Sequence, residues 1–256
     1  MSALMRSLAL CILIIAAAGC VTKSIGENAG SLDEAAQYNV QLGLEYMKQG
    51  RRELAFEKLR RALEQDPDYA GAHTAIAYAY SVYGEPDRAE THYRRAMNLD
   101  RDDAGIKNTY GTFLCERGRM EEAETMLVRA ANAPDYGTPE VAWTNAGLCA
   151  ERAGDIAKAE RFYREALRVN ERYPTALWQM AQVSFAASNA LPARGFLQRY
   201  HAVAPRSPHS LWLGYRIEHA LSDEAAASVY ASRLRADFGD SPEARLLEDA
   251  ERGRGR

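Results

Sequence analysis

The sequence predicts an all-α superhelical solenoid of about six stacked helix pairs. Three observations carry this. First, Tyr110-Gly111-Thr112-Phe113-Leu114-Cys115-Glu116-Arg117-Gly118 is echoed by Ala146-Gly147-Leu148-Cys149-Ala150-Glu151-Arg152-Ala153-Gly154. Each copy reads as a helix-length run, a Gly turn and a second helix-length run. Second, small residues keep phase: Ala55, Ala89, Ala123, Ala159 and Ala193 are separated by 34, 34, 36 and 34 residues. Third, the alanine-rich segments between Ala35 and Leu234 show no strand alternation of useful length. A single helix pair cannot bury its apolar face alone, so a repeated pair implies a stacked array.

The repeat resembles the tetratricopeptide repeat, whose period is about 34 residues. Helix A of each pair carries a large residue and then a small one, as in Leu42-Gly43, Ile76-Ala77, Tyr110-Gly111, Ala146-Gly147 and Met180-Ala181. The small residue admits helix B closely. Phe56, Leu59, Tyr93, Leu127, Tyr163 and Leu197 fill the remaining space.

Residues 1–19 read as a lipoprotein signal peptide. Arg6 precedes an apolar run, Leu8 to Ala18, too short to span a bilayer comfortably. The run ends Ala16-Ala17-Ala18-Gly19-Cys20. Small residues before a cysteine resemble a bacterial lipobox, with Ala17 where leucine is usual. The resemblance implies diacylglycerol on the Cys20 thiol. Val21 in place of aspartate implies sorting to the outer membrane, periplasmic face. An ordinary signal cleavage near Gly19, or a misassigned start site, is the alternative. Residues 20–33 then read as the lipidated cysteine and a flexible tether. The thirteen tether residues, Val21 to Asp33, span roughly 45 Å extended and about 20 Å as a coil.

The array is expected over 34–240, with pairs at about 36–69, 70–103, 104–139, 140–173, 174–207 and 208–240. Turns are expected at Gln49-Gly50, Gly84-Glu85-Pro86, Arg117-Gly118, Gly154-Asp155, Ser188-Asn189 and Leu221-Ser222-Asp223. Pro86 suits a first helical turn, where no N–H is needed. Pro134 to Pro139 accounts for the two extra residues of the 36-residue step. The sixth pair, opening at Leu211-Trp212-Leu213-Gly214, slips by one residue. Residues 241–256 form a tail that begins with a short helical stretch at Ser241-Pro242 and frays over its last six residues, Glu251 to Arg256.

Composition narrows the function classes. The 256-residue chain is 47% hydrophobic and 26% charged, which suits an ordered body. Its net charge of −3 gives no case for general nucleic-acid binding. His73, His92, His201, His209 and His219 have no metal-ligand spacing, and no phosphate loop or nucleophile elbow appears. The reading is a non-enzyme with no cofactor, no metal and no small-molecule substrate. Cys115 and Cys149 lie on neighbouring A helices. They read either as a disulfide, given an oxidising compartment, or as two small buried hydrophobes.

In such arrays helix A lines the concave face. The expected partner groove contains Val40, Leu44, Met47, Tyr78, Asn108, Thr112, Leu148 and Trp178, accompanied by Thr74, Val82, Glu116, Thr144, Arg152 and Phe185. Few basic residues lie on this strip, which favours an apolar or strand-like partner segment over an acidic tail.

A lipobox, a short tether and six helix pairs together resemble the type IV pilus biogenesis and stability lipoproteins (PilF/PilW group). The residues carrying this are Asn108 to Cys115, Asn145 to Ala150, Leu211 to Ile217, and Phe238-Gly239-Asp240-Ser241-Pro242-Glu243. The resemblance implies a pilotin, which brings secretin subunits to the outer membrane and promotes their multimerisation. An adaptor for barrel assembly or for peptidoglycan synthase activation is the competing reading.

Overall fold

The computed structural model describes residues 24–254, which form thirteen α-helices and no strand. Residues 1–23, with the signal segment and Cys20, lie outside the described residues. The chain divides into two compact units. One runs to Asp102 and contains α1 (Ser24–Lys48), α2 (Arg52–Gln65), α3 (Ala70–Val82) and α4 (Pro86–Leu99). The other begins at Asp103. It contains α5 (Ala104–Glu116), α6 (Met120–Ala131), α7 (Pro139–Arg152), α8 (Ile156–Val169), α9 (Pro174–Ala186), α10 (Ala190–His201), α11 (Pro208–Ala220), α12 (Glu224–Phe238) and α13 (Pro242–Arg254). Odd-numbered helices up to α11 are the A helices and even-numbered ones the B helices.

Each of the six A-to-B turns is built in the same way. The second residue after helix A sits at positive φ: Gly50 at 69°, Gly84 at 79°, Gly118 at 77°, Gly154 at 81°, Ser188 at 62° and Ser222 at 58°. Two backbone bonds close each turn. In the first, the Gly50 N–H donates to the Met47 carbonyl at 3.0 Å and the Arg51 N–H to the Tyr46 carbonyl at 2.9 Å. This is the Schellman arrangement, which satisfies helix-end carbonyls and favours glycine at the left-handed position. The fifth and sixth turns keep it with serine, the Asn189 N–H reaching the Ser184 carbonyl and the Asp223 N–H the Glu218 carbonyl. The glycine-free turn expected at Ser188-Asn189 is therefore the same turn with a less suited residue.

Close approach of A and B helices rests on the small A-helix residue. A methyl added to Gly147 would lie 2.3 Å from the Tyr163 ring, and one added to Gly214 would lie 2.4 Å from the Tyr230 ring. Gly43 meets Leu59, and Gly111 meets Leu127, in the same way. The phase-keeping alanines Ala55, Ala89, Ala123, Ala159 and Ala193 are fully buried. Phe56, Leu59, Tyr93, Leu127, Tyr163 and Leu197 are buried around them. In the sixth pair Ala227 keeps the 34-residue step from Ala193, while Gly214 follows Ala181 by 33. The one-residue slip thus lies in the A helix.

Two expectations at the ends change. Helix α1 begins at Ser24, so most of the stretch read as a flexible tether is helical. Extending an existing helix adds one hydrogen bond per residue fixed, without a new nucleation cost. At the other end, the short helical stretch expected from Ser241-Pro242 is α13, which packs on the last pair and runs on to Arg254, through residues expected to fray. Ala244 and Leu247 are buried in a cluster with Leu211, Tyr215 and Leu234. Glu243 is buried and accepts His209 Nε2 at 3.1 Å. α13 thus covers the last pair, as a terminal cap must.

Candidate functional site

In the second unit α5 and α7 lie side by side and frame an open cleft of about 160 Å³. Its walls are Thr112, Cys115 and Glu116 from α5, and Asn145, Leu148, Cys149 and Arg152 from α7. Thr112 and Leu148 stand together here, as the sequence reading placed them. Leu148 is 37% exposed, enough to offer an apolar contact. Asn108 lies one turn before Thr112, whose hydroxyl donates to the Asn108 carbonyl at 2.9 Å. The Asn145 amide donates to Asn108 Oδ1 at 3.0 Å, tying the two A helices together beside the cleft.

The cleft floor is a disulfide. Cys115 and Cys149 are bridged, with Cα atoms 5.7 Å apart. The four-residue and two-residue offsets from Gly111 and Gly147 still bring the two thiols face to face. Met120 packs its sulfur against the bridge, 3.5 Å from Cys149 Sγ. Nothing in the 34-residue pattern singles out Met120. Beneath the bridge, a second cavity of about 290 Å³ is lined by Met120, Glu121, Glu124, Asp155 and Lys158. Lys158 donates to Glu124 at 2.9 Å across it. That pair, more than its neighbour Asp155, holds the Lys158 ammonium above its ordinary pKa.

Tyr163 supports α7 from below. Its phenol is buried, and the O–H donates to the Glu151 carboxylate. Burial first, and then that hydrogen bond, raise the phenol pKa far above its ordinary value. It therefore remains a donor at any physiological pH.

The first unit holds its own part of the expected strip. Tyr78 is 47% exposed on α3, with Val82 also exposed one turn on, while Leu44 and Met47 are half-buried on α1. Two residues leave the set. Val40 is 8% exposed and belongs to the packing of the first pair. Thr144 is buried in the second unit and donates to the Glu140 carbonyl of its own helix. In both cases the A-helix stripe that faces neighbouring helices is wider than the sequence register allowed. Trp178 is half-buried in the second unit, its ring 5.4 Å from Tyr200. Tyr200 is the residue that breaks the row of small residues at Ala62, Ala96, Ala130 and Ala166.

A paired histidine site lies in the first unit. His73 Nε2 meets the Pro67 carbonyl at 3.0 Å, and His73 Nδ1 meets His92 Nδ1 at 2.9 Å. A carbonyl only accepts, so the His73 proton sits on Nε2 and its Nδ1 accepts from the His92 Nδ1–H. Burial, then the neighbouring His73 and Arg88, lower the His92 pKa to about 4. His73 is lowered too, mainly by burial. Among the described residues no three His, Cys, Asp or Glu side chains group as metal ligands.

Comparisons with known proteins place this geometry. A TPR repeat model matches residues 43–81, and a tetratricopeptide repeat model matches 141–173. The type IV pilus assembly protein PilF of Pseudomonas aeruginosa is 31% identical over 228 residues, spanning 88% of this chain and 90% of that protein. The solved structure of Pseudomonas aeruginosa PilF superposes with a TM-score of 0.74 at 31% identity, covering 86% of this chain and 99% of that one. The structure of PilW, a widely conserved type IV pilus biogenesis factor, gives 0.73 at 29% identity, covering 83% and 97%. With identity and coverage on this scale, and the same helix pairs in space, the chain belongs to the PilF/PilW family of tetratricopeptide-repeat proteins of type IV pilus biogenesis.

Proposed function

We propose that this protein is a non-enzymatic outer-membrane lipoprotein that binds secretin subunits and promotes their multimerisation during pilus biogenesis. The observation that carries the reading is the α5–α7 cleft, where Leu148 is exposed among the polar groups of Thr112, Asn145, Glu116 and Arg152. An apolar contact ringed by hydrogen-bonding groups suits an extended protein segment. Tyr78 on α3 offers a further aromatic anchor, and binding energy concentrates in such residues. The Ala-Gly-Cys sequence ending at Cys20 supports a lipid anchor. Holding each bound subunit at one membrane raises its effective concentration there and favours ring assembly.

Tyr78→Ala combined with Leu148→Asp tests the reading. Both side chains are exposed, so helix content should stay intact. Heat-stable secretin multimers and twitching motility should fall. Normal multimers with a folded double variant would place secretin binding on another surface. The competing reading, an adaptor for barrel assembly or peptidoglycan synthase activation, calls for envelope defects with secretin multimers unchanged.

A further inference from the structure

Charge is unevenly distributed along this chain. Between Pro174 and Ser222 there are four arginines and a single acidic residue, out of 35 in the whole sequence. That residue, Glu218, is buried and already paired with Arg194, which also reaches Asp223 at 3.3 Å. The other three arginines of the stretch have no carboxylate within ion-pair distance among the described residues. Arg199 donates to the Glu171 carbonyl at 2.7 Å, and Arg206 lies in the link before α11.

Arg216 is placed differently from the others. It is exposed on α11, and its guanidinium lies 4.8 Å from the Phe185 ring centroid on α9 and 5.9 Å from that of Trp212 on its own helix. Trp212 in turn stacks on Tyr215 at 5.4 Å. Stacking engages the π-face of a guanidinium and leaves its in-plane N–H donors for a carboxylate. A long side chain normally loses rotamer freedom when it binds, and rings that already hold it reduce that cost.

We infer that the α9–α11 edge, with Arg216 seated between Phe185 and Trp212, is a docking point for an acidic residue in an apolar stretch of the partner protein. The rings supply the apolar contact, the guanidinium supplies a bidentate carboxylate bond, and the surrounding cationic stretch steers the partner in. This rests on the reading of the chain as a partner-binding scaffold. It adds a charged recognition element to a strip whose sequence favoured an apolar or strand-like partner segment over an acidic tail.

Fluorescence anisotropy tests it with a labelled peptide of alternating leucine and aspartate, a matched leucine–lysine peptide, and vesicles containing phosphatidylglycerol. The wild-type chain should bind the aspartate peptide and release it with added salt. Arg216→Ala should weaken binding roughly tenfold, the scale of one charge-assisted pair. Arg216→Lys should restore only part of it, because the planar fork is lost. Arg216→Glu should switch preference to the lysine peptide. Circular dichroism melting of each variant confirms that the fold is kept. Equal binding of the aspartate peptide by wild type and Arg216→Glu, or no binding by wild type, overturns the proposal. So does Arg216-dependent capture by the vesicles without capture of the peptide, which would make the partner a lipid surface. If Arg216→Glu loses the peptide while secretin multimers form normally in cells, the acidic site stands and its partner is a protein other than the secretin. The two readings therefore fail separately.

Discussion

Gly147 has no room for a side chain. Its missing methyl would stand 2.3 Å from the Tyr163 ring, which is buried and hydrogen-bonded to Glu151. Gly147→Leu should therefore push α7 off α8 and lower stability by about 1–3 kcal/mol or more. Thermal melting checks this, and an unchanged midpoint would contradict the packing. Ser188 and Ser222 present the opposite case, because they hold left-handed backbone without being glycine. That conformation costs an L-residue about 1–2 kcal/mol, partly offset by the entropy glycine loses on folding. Ser188→Gly and Ser222→Gly should each stabilise by about 0.5–1 kcal/mol, read as a rise in urea midpoint. The histidines set a pH dependence. His92 and His201 each fall to about 4 when folded, against 6.5 unperturbed, so the unfolded chain binds more protons between those values. Stability is fully present above about pH 6.5 and is lost as pH falls toward 4. His92→Gln with His201→Gln should flatten the melting temperature across that window.

At the scale of elements, the bridge between α5 and α7 closes a loop with a sequence separation of 34 residues. In the loop-entropy model it contributes about 4 kcal/mol. Cys115→Ser with Cys149→Ser should lower the melting temperature to that of the reduced wild type. Two readily alkylated thiols in the native protein would contradict the bridge. The sequence revealed most of the pairs because their contacts recur at a fixed offset, small residues on A against large ones on B. It showed α13 as a short helical stretch but not its packing, because that helix has no counterpart in the period and is held by Leu211, Tyr215 and Leu234. It placed Val40 and Thr144 on the surface because one register gives a helix face, not the width of the stripe its neighbours cover. Arg216 was missed for a related reason. Its stacking on Phe185 depends on two helices meeting, and no local spacing encodes that.

For the whole molecule, membership in a pilus biogenesis family leaves two proposed links to the membrane, the anchor at Cys20 and the secretin-binding cleft. Each has its own variant. Cys20→Ala should release the protein from the outer membrane in cell fractionation, and unchanged fractionation would remove the lipid anchor from the account. The cleft is tested most directly by contact rather than phenotype. A photo-reactive phenylalanine analogue at Leu148, exposed in the α5–α7 cleft, should crosslink to the secretin in living cells on irradiation. The same analogue at Arg161, exposed on α8, serves as the control. A secretin adduct from Leu148 and none from Arg161 is the predicted result. An adduct from Arg161 alone, or equal adducts from both, would contradict the claim that this cleft holds the secretin.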